Sequence, residues 1–236
     1  FYMTMRLLLL NPNTNAATTS AMVDIAQDEA SFRCTVNGST VPAGAGVPLI
    51  YNEEMLAAAE KGVITVLKTL EPGYDGVIVA AFGDPGLHRA RGICGCAVTG
   101  IGEAAVTEAA HGQRRFAIVT TTPLLVNSIE RNVALLGFSS LFCGVFLTEG
   151  DVHKVMGDKE RLEGALRQAC QRAVDGGAES IVIGGGPLAV AARAIAQDFH
   201  VPLIEPIPAA VRLALVRASD CTRPREQRTA REAMSG

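Results

Sequence analysis

The chain has no tryptophan, three tyrosines, eight phenylalanines and four histidines in 236 residues. Aromatic candidates near any site come down to Phe82 and Tyr51, so a large aryl pocket is not indicated. Positive charge is not in excess either: 21 Lys and Arg stand against 24 Asp and Glu, a net charge of -3. That balance gives no electrostatic footprint for nucleic acid. The apolar runs are strand-sized, well below the roughly 20 residues a membrane-spanning helix needs, so no membrane partner is expected. No cleavable leader is expected, because Met5-Arg6 runs straight into Leu7, and Phe1-Tyr2 ahead of Met3 is set aside as an extension. The six cysteines (Cys34, Cys94, Cys96, Cys143, Cys170 and Cys221) lack a metal or redox pattern, and Cys94-Gly95-Cys96 has no second ligand pair nearby. They read as the reduced thiols of a cytoplasmic protein. His111, His153 and His200 share no common spacing, and His88 reads as an exposed residue on a first helical turn.

What the chain does have is a repeated design. Residues 76–81, GVIVAA, form a nearly all-apolar run, and FGDPGL at 82–87 breaks it with two glycines, an aspartate and a proline. The pattern predicts a buried parallel strand opening into a loop, with Asp84 capping a helix that begins near Pro85. Residues 178–188, AESIVIGGGPL, repeat it. After each comes a similar unit, CAVTGIGEAA at 96–105 and HVPLIEPIPAA at 200–210. In both, a short strand reaches a Gly or Pro turn and an Ala-rich helix with an acidic residue, Glu103 or Glu205, at its start. Two such units predict two similar α/β lobes with a cleft between their loops. Ligands in open α/β sheets sit beyond the carboxyl ends of strands. Phe82, Gly83, Asp84, Gly185, Gly186 and Pro187 are therefore candidate ligand contacts.

The remaining elements follow in order. A strand at 6–10 leads into NPNT, where Asn13 and Thr14 can cap the next helix or hold a ligand through neutral hydrogen bonds. Helical spacing covers 18–29 and 51–70, an alternating strand 32–36, and a Gly/Pro-rich loop at 41–48 lies on the ligand side as part of a lid. The strand at 116–119 ends in TTTP, where Thr121 and Thr122 either cap a helix or bind a carboxylate or imide oxygen together with free helix amides. A helix at 124–136 stopped by Gly137, a strand at 143–147, a polar connection at 151–157 and helices at 158–176 and 208–217 complete the pattern. The expected division is residues 5–100 with about 208–218 in one lobe, 101–207 in the other, and 219–236 as a charged tail.

Together, LLLLNPNT, AFGDPGL, GIGEAA, VTTTP, GGAESIVIGGG and VPLIEPIPAAV resemble the hydantoin and allantoin racemase branch of the aspartate/glutamate racemase superfamily, over nearly the whole chain. The resemblance implies two flavodoxin-like lobes with parallel sheets related by a pseudo-twofold, an active site between them, and a homo-oligomer. It also implies racemisation of a small carbonyl or carboxylate compound without cofactor or metal, one cysteine thiolate removing the α proton and an opposite thiol returning one. The family's cysteine positions fall on Ala81 and Gly185, and neither can carry a proton. Three readings stay open. One is an enzyme that needs no thiol pair, such as a decarboxylase, lyase or isomerase, with Thr121, Thr122 and the amides of Gly83, Gly185 and Gly186 as an oxyanion pocket. Glu205, at a strand's carboxyl end, is its candidate acid–base group. Another is a non-catalytic small-molecule binder. The third is an engineered exchange, which suits alanine at 81 better than glycine at 185.

Overall fold

The computed structural model describes residues 5–185 and 188–222. Its first sheet is built from β1 (Met5–Asn11), β2 (Cys34–Thr40), β3 (Gly76–Val79) and β4 (Ala97–Gly100), in the order β2-β1-β3-β4. The second, from β5 (Phe116–Thr120), β6 (Phe142–Leu147), β7 (Ser180–Ile183) and β8 (Leu203–Ile204), has the order β6-β5-β7-β8. All pairings are parallel, and the strand order of the first sheet is repeated in the second.

Between the strands lie α1 (Ala16–Ala30), α2 (Glu53–Lys68), α3 (Leu87–Ile93), α4 (Ile101–Ala109) and α5 (Val126–Leu135). The chain continues through α6 (Val152–Met156), α7 (Lys159–Asp175), α8 (Ala189–Ile195) and α9 (Pro206–Thr222). Helix α9 returns to the first sheet and packs on α1, α4, β3 and β4.

Alternation along the strands sorts the core into layers. Leu7 and Leu9 of β1 and Phe116 and Ile118 of β5 face a shared central core with Met22, Ile101, Ile129 and Val211. Leu8 and Leu10 face α2 and α3 through Val63, Leu67 and Ala90, while Ala117 and Val119 face α7 and α8 through Leu166, Cys170 and Ala191. Strands covered on both faces must be apolar at every position, which is why they read as continuous runs rather than alternating ones. Each leucine so buried contributes roughly 1.5–3 kcal/mol of transfer free energy.

Some boundaries differ from expectation. Strand β2 begins at Cys34, because the chain turns through Ser31 (φ 54°) and leaves Phe32 exposed. The connection at 151–157 contains α6, started by Asp151, whose Oδ1 accepts the Lys154 amide at 3.0 Å. The last helix runs from Pro206 to Thr222, since prolines are tolerated in a first turn whose amides need no helical partner. The rest of the expected tail, 223–236, lies outside the described residues.

Candidate functional site

The carboxyl ends of β1, β3, β5 and β7 point into one cavity of about 470 Å³ between the sheets. The first lobe contributes Asn13, Asn15, Ala81 and Phe82, and the second Thr121, Thr122, Gly184 and Gly185. Pro48, the last residue of the loop expected to act as a lid, and Leu49, Ile50 and Tyr51 after it form part of the wall, and Met22, Leu125, Ile129, Met156 and Leu188 make much of the lining apolar. The two lobes touch at its floor: a Cβ on Gly184 would stand 3.0 Å from Phe82 Cε1, so a side chain there would require the ring to shift by a few tenths of an ångström.

Local hydrogen bonds fix the polar parts. Asn11 is fully buried, and its Nδ2 donates to Asn13 Oδ1 and Thr19 Oγ1, both at 2.9 Å. Asn13 Oδ1 also accepts the Asn15 amide at 2.9 Å, and Asn15 caps α1 by accepting the Thr18 amide. Thr120 Oγ1 donates to the Gly184 carbonyl at 2.7 Å, tying the ends of β5 and β7 together. Thr122 pairs with Thr120, whereas the buried Thr121 hydroxyl bonds to no other described residue. The amides of Ala81 and Phe82 are likewise left without a partner among the described residues. The cavity therefore has a few neutral donors set in an apolar wall, the usual composition of a small-molecule site.

Asp84 does different work from that expected. Gly86, not Asp84, stands at the N-cap of α3. The Asp84 carboxylate instead reaches across to α4, accepting the Gly102 amide at 2.8 Å and the Glu103 amide at 2.6 Å. A Cβ on Gly100 would overlap the carboxylate, and one on Gly102 would stand 3.0 Å from Oδ2. The FGDPG and GIGEAA segments are thus two halves of one joint, in which glycines make room for the cap. Burial drives the Asp84 pKa up to about 7, against the pull of the two amides and Arg91.

Glu103 lies next to it. Burial alone would raise its pKa, but Arg217 and Arg91, at 2.8 and 2.7 Å, pull it down to about 2. Arg91 and Arg217 also donate to the Val98 carbonyl, so this cluster pins α3, β4, α4 and α9 together.

Several expected site residues lie elsewhere. Thr14 and Asp84 do not line the cavity, and Gly83 faces a smaller crevice beside Val106 and Asn132. Glu205 is held by Arg193 through both oxygens at 2.8 and 3.0 Å, away from the wall, so the candidate acid–base group is occupied by an ion pair. Gly186 and Pro187 lie outside the described residues. Asn13, Phe82, Thr121, Thr122 and Gly185 are brought together, as are Ala81 and Gly185, the positions at which the resemblance led cysteines to be expected. Among the described residues no cysteine lines the cavity. Cys94 and Cys96 sit at the amino end of β4, away from it, and burial pushes Cys96 up to about 11.

Two like-ordered parallel sheets closed over one cavity define a class, the two-lobed α/β proteins that enclose a small molecule between strand ends. Known proteins narrow this. The model of the family described as Asp/Glu/Hydantoin racemase matches residues 7–214, and the chain belongs to that family. A hydantoin racemase from a Pseudomonas strain is 31% identical over 212 residues, covering 89% of this chain and 84% of the relative. Another from Paenarthrobacter aurescens is 29% identical, covering 89% of each. The structure of allantoin racemase from Klebsiella pneumoniae superposes with a TM-score of 0.83 at 30% identity, covering 91% of this chain and 88% of that one. No helix of the described residues is long and apolar enough to cross a membrane, and no group of three or more metal-ligating side chains is found among them.

Proposed function

We propose that this chain is a cofactor-independent isomerase of small carbonyl or carboxylate compounds, hydantoin-like rings first, and that its chemistry does not run through a thiol pair. The observation that carries this reading is the donor set on the cavity wall: the Thr121 hydroxyl and the Ala81 and Phe82 amides are unengaged by described protein groups. Donors aimed at a carbonyl oxygen stabilise the negative charge that develops there when the adjacent carbon loses a proton. The activities named for the relatives, hydantoin and allantoin racemisation, support the substrate class. Six free cysteines support a reducing, cytoplasmic setting, and the family resemblance supports a homo-oligomer.

Alanine and glycine at the thiol positions favour a second reading, a non-catalytic binder. One experiment separates them. The protein is incubated in heavy water with allantoin, arylmalonates and the hydantoins of L-alanine and L-valine, and proton NMR, carbon dioxide release and thermal stabilisation are followed. The expected result is saturable stabilisation by a hydantoin, with α-hydrogen exchange above the buffer rate. Stabilisation with neither exchange nor gas release supports the binder. Carbon dioxide from a malonate makes the protein a decarboxylase.

A further inference from the structure

We propose that Asp151 is the proton carrier of this cavity and that proton transfer there is confined to one face of the substrate carbon. This rests on the reading of the cavity as an isomerase site. Of the described side chains on the wall, Asp151 is the single carboxylate, and no thiol, imidazole or amine accompanies it. The Tyr51 phenol is the other polar side chain of that part of the wall, and it can serve as a hydrogen-bonding hydroxyl. Asp151 stands in the loop leaving β6, whose Thr148 amide donates to the Thr120 carbonyl at 3.0 Å, so this loop is tied to the end of β5 that presents Thr121. Its Oδ1 accepts the Lys154 amide at 3.0 Å, which fixes the carboxylate, and Oδ2 bonds to no other described residue.

The step balances with these groups alone. Asp151 Oδ2 takes the proton from the carbon next to the carbonyl. The C–H electron pair moves to form the carbon–carbon double bond of an enolate, whose oxygen receives the Thr121 hydroxyl or the Ala81 and Phe82 amides. Asp151 is exposed at the cavity mouth and exchanges its proton with solvent. Returning a proton from the same group delivers it to the face it left. Inversion needs a second carrier opposite, and Ala81 and Gly185 supply none. The predicted outcome for a chiral hydantoin is exchange with retained configuration instead of racemisation, the isomerisation open to the site being delivery of the Asp151 proton to the enolate oxygen, a keto–enol shift.

Asp151→Asn is a clean probe, because asparagine caps a helix about as well as aspartate and α6 keeps its start. The hydantoins of L-alanine and L-valine are followed in heavy water by NMR for exchange and by polarimetry for configuration, with thermal stabilisation as the binding readout. The proposal expects exchange that outruns loss of rotation, a fall in exchange of at least about 100-fold in Asp151→Asn, and unchanged stabilisation by the same hydantoins. Loss of rotation at the rate of exchange overturns the one-faced transfer. Undiminished exchange in Asp151→Asn overturns the assignment of Asp151. Stabilisation without exchange in the native protein overturns the proposal and leaves the cavity a binder, whereas absence of stabilisation overturns the isomerase reading itself.

Discussion

The cap that Asp84 places on α4 makes the protein lose stability as pH rises through neutrality, an unusual direction for a carboxylate cap. Its carboxyl is raised from 3.8 to about 7 by burial. A carboxyl whose folded pKa is raised contributes stability that is fully present below its unfolded pKa and is lost as pH climbs to the folded one. Three units correspond to about 4 kcal/mol in total, of which about 2 to 3 kcal/mol falls between pH 5 and 8. Glu103 works in a different window. Lowered from 4.5 to about 2, it contributes stability above pH 4.5 that is lost only as pH falls toward 2. The perturbation is Asp84→Asn, and the assay is urea unfolding of both proteins at intervals from pH 5 to 8. Asparagine accepts one of the two α4 amides and turns its NH2 toward the other, so the variant is less stable throughout, by about 1–3 kcal/mol. The informative quantity is the slope. The native-minus-variant difference should shrink with rising pH by the stated amount, and other titrating groups cancel in it. A difference that is flat or grows with pH would mean that the two amides and Arg91 outweigh burial, and the reasoning fails.

The other expectations concern the pocket and the seam. Ala81→Cys with Gly185→Cys puts a thiol at both positions, at the cost of backbone strain at 185 (φ 159°) and of Leu188 giving by a few tenths of an ångström where the new Cβ stands 3.2 Å from its Cγ, so folding is checked first by thermal unfolding. Polarimetry of the L-alanine hydantoin should then show loss of rotation that native protein lacks, and an inert double variant would mean the two positions do not flank the substrate carbon. Thr121→Val keeps the shape and removes the unpaired hydroxyl, so hydantoin affinity by calorimetry should fall about 5- to 10-fold, the worth of one hydrogen bond; unchanged affinity removes Thr121 from the contact. Glu103→Gln leaves Arg91 and Arg217 facing each other without their carboxylate and should cost about 2 to 4 kcal/mol in denaturant unfolding, toward the lower end because both arginines are partly exposed. A loss under 1 kcal/mol would make the cluster an ordinary surface network.

How much was legible depended on whether a feature was local. The runs at Leu7–Leu10, Gly76–Ala81 and Ser180–Ile183 announced buried parallel strands because both faces of each sheet are covered, and the duplicated strand–loop design announced two lobes. Asp84 departs from expectation for the opposite reason. A capping residue next to a proline suggests its own helix, while its real partners are amides in the following unit, visible only once Gly100 and Gly102 are seen to leave it space. Glu205 looked available because its partner, Arg193, belongs to another element. Asp151 lies inside a polar stretch with no site signal of its own, and the local feature it does carry, an aspartate three residues before the Lys154 amide it accepts, is the ordinary start of a short helix. Asn15, rather than Thr14, reaches the cavity because the buried Asn11 folds the NPNTN loop around its own side chain.

At the cavity, the contacts that shape the site and the side chains that face it are different residues. What holds the site together lies behind the wall: Phe82 against Gly184 between the two sheets, Thr120 on the Gly184 carbonyl within the second, and the Asp84 cap and Glu103 cluster on α4. Positions 81 and 185 face the cavity and support none of these contacts, so exchanging their side chains leaves the joint intact. The donors that would meet a carbonyl oxygen are mostly main-chain amides at strand ends, retained whatever side chain stands there. Amides at strand ends therefore come with the fold, whereas movement of a proton depends on individual side chains. A TM-score of 0.83 to an allantoin racemase speaks to the fold. For the second, the relevant question is which ionisable groups reach the wall, and Asp151 is the carboxylate that does so.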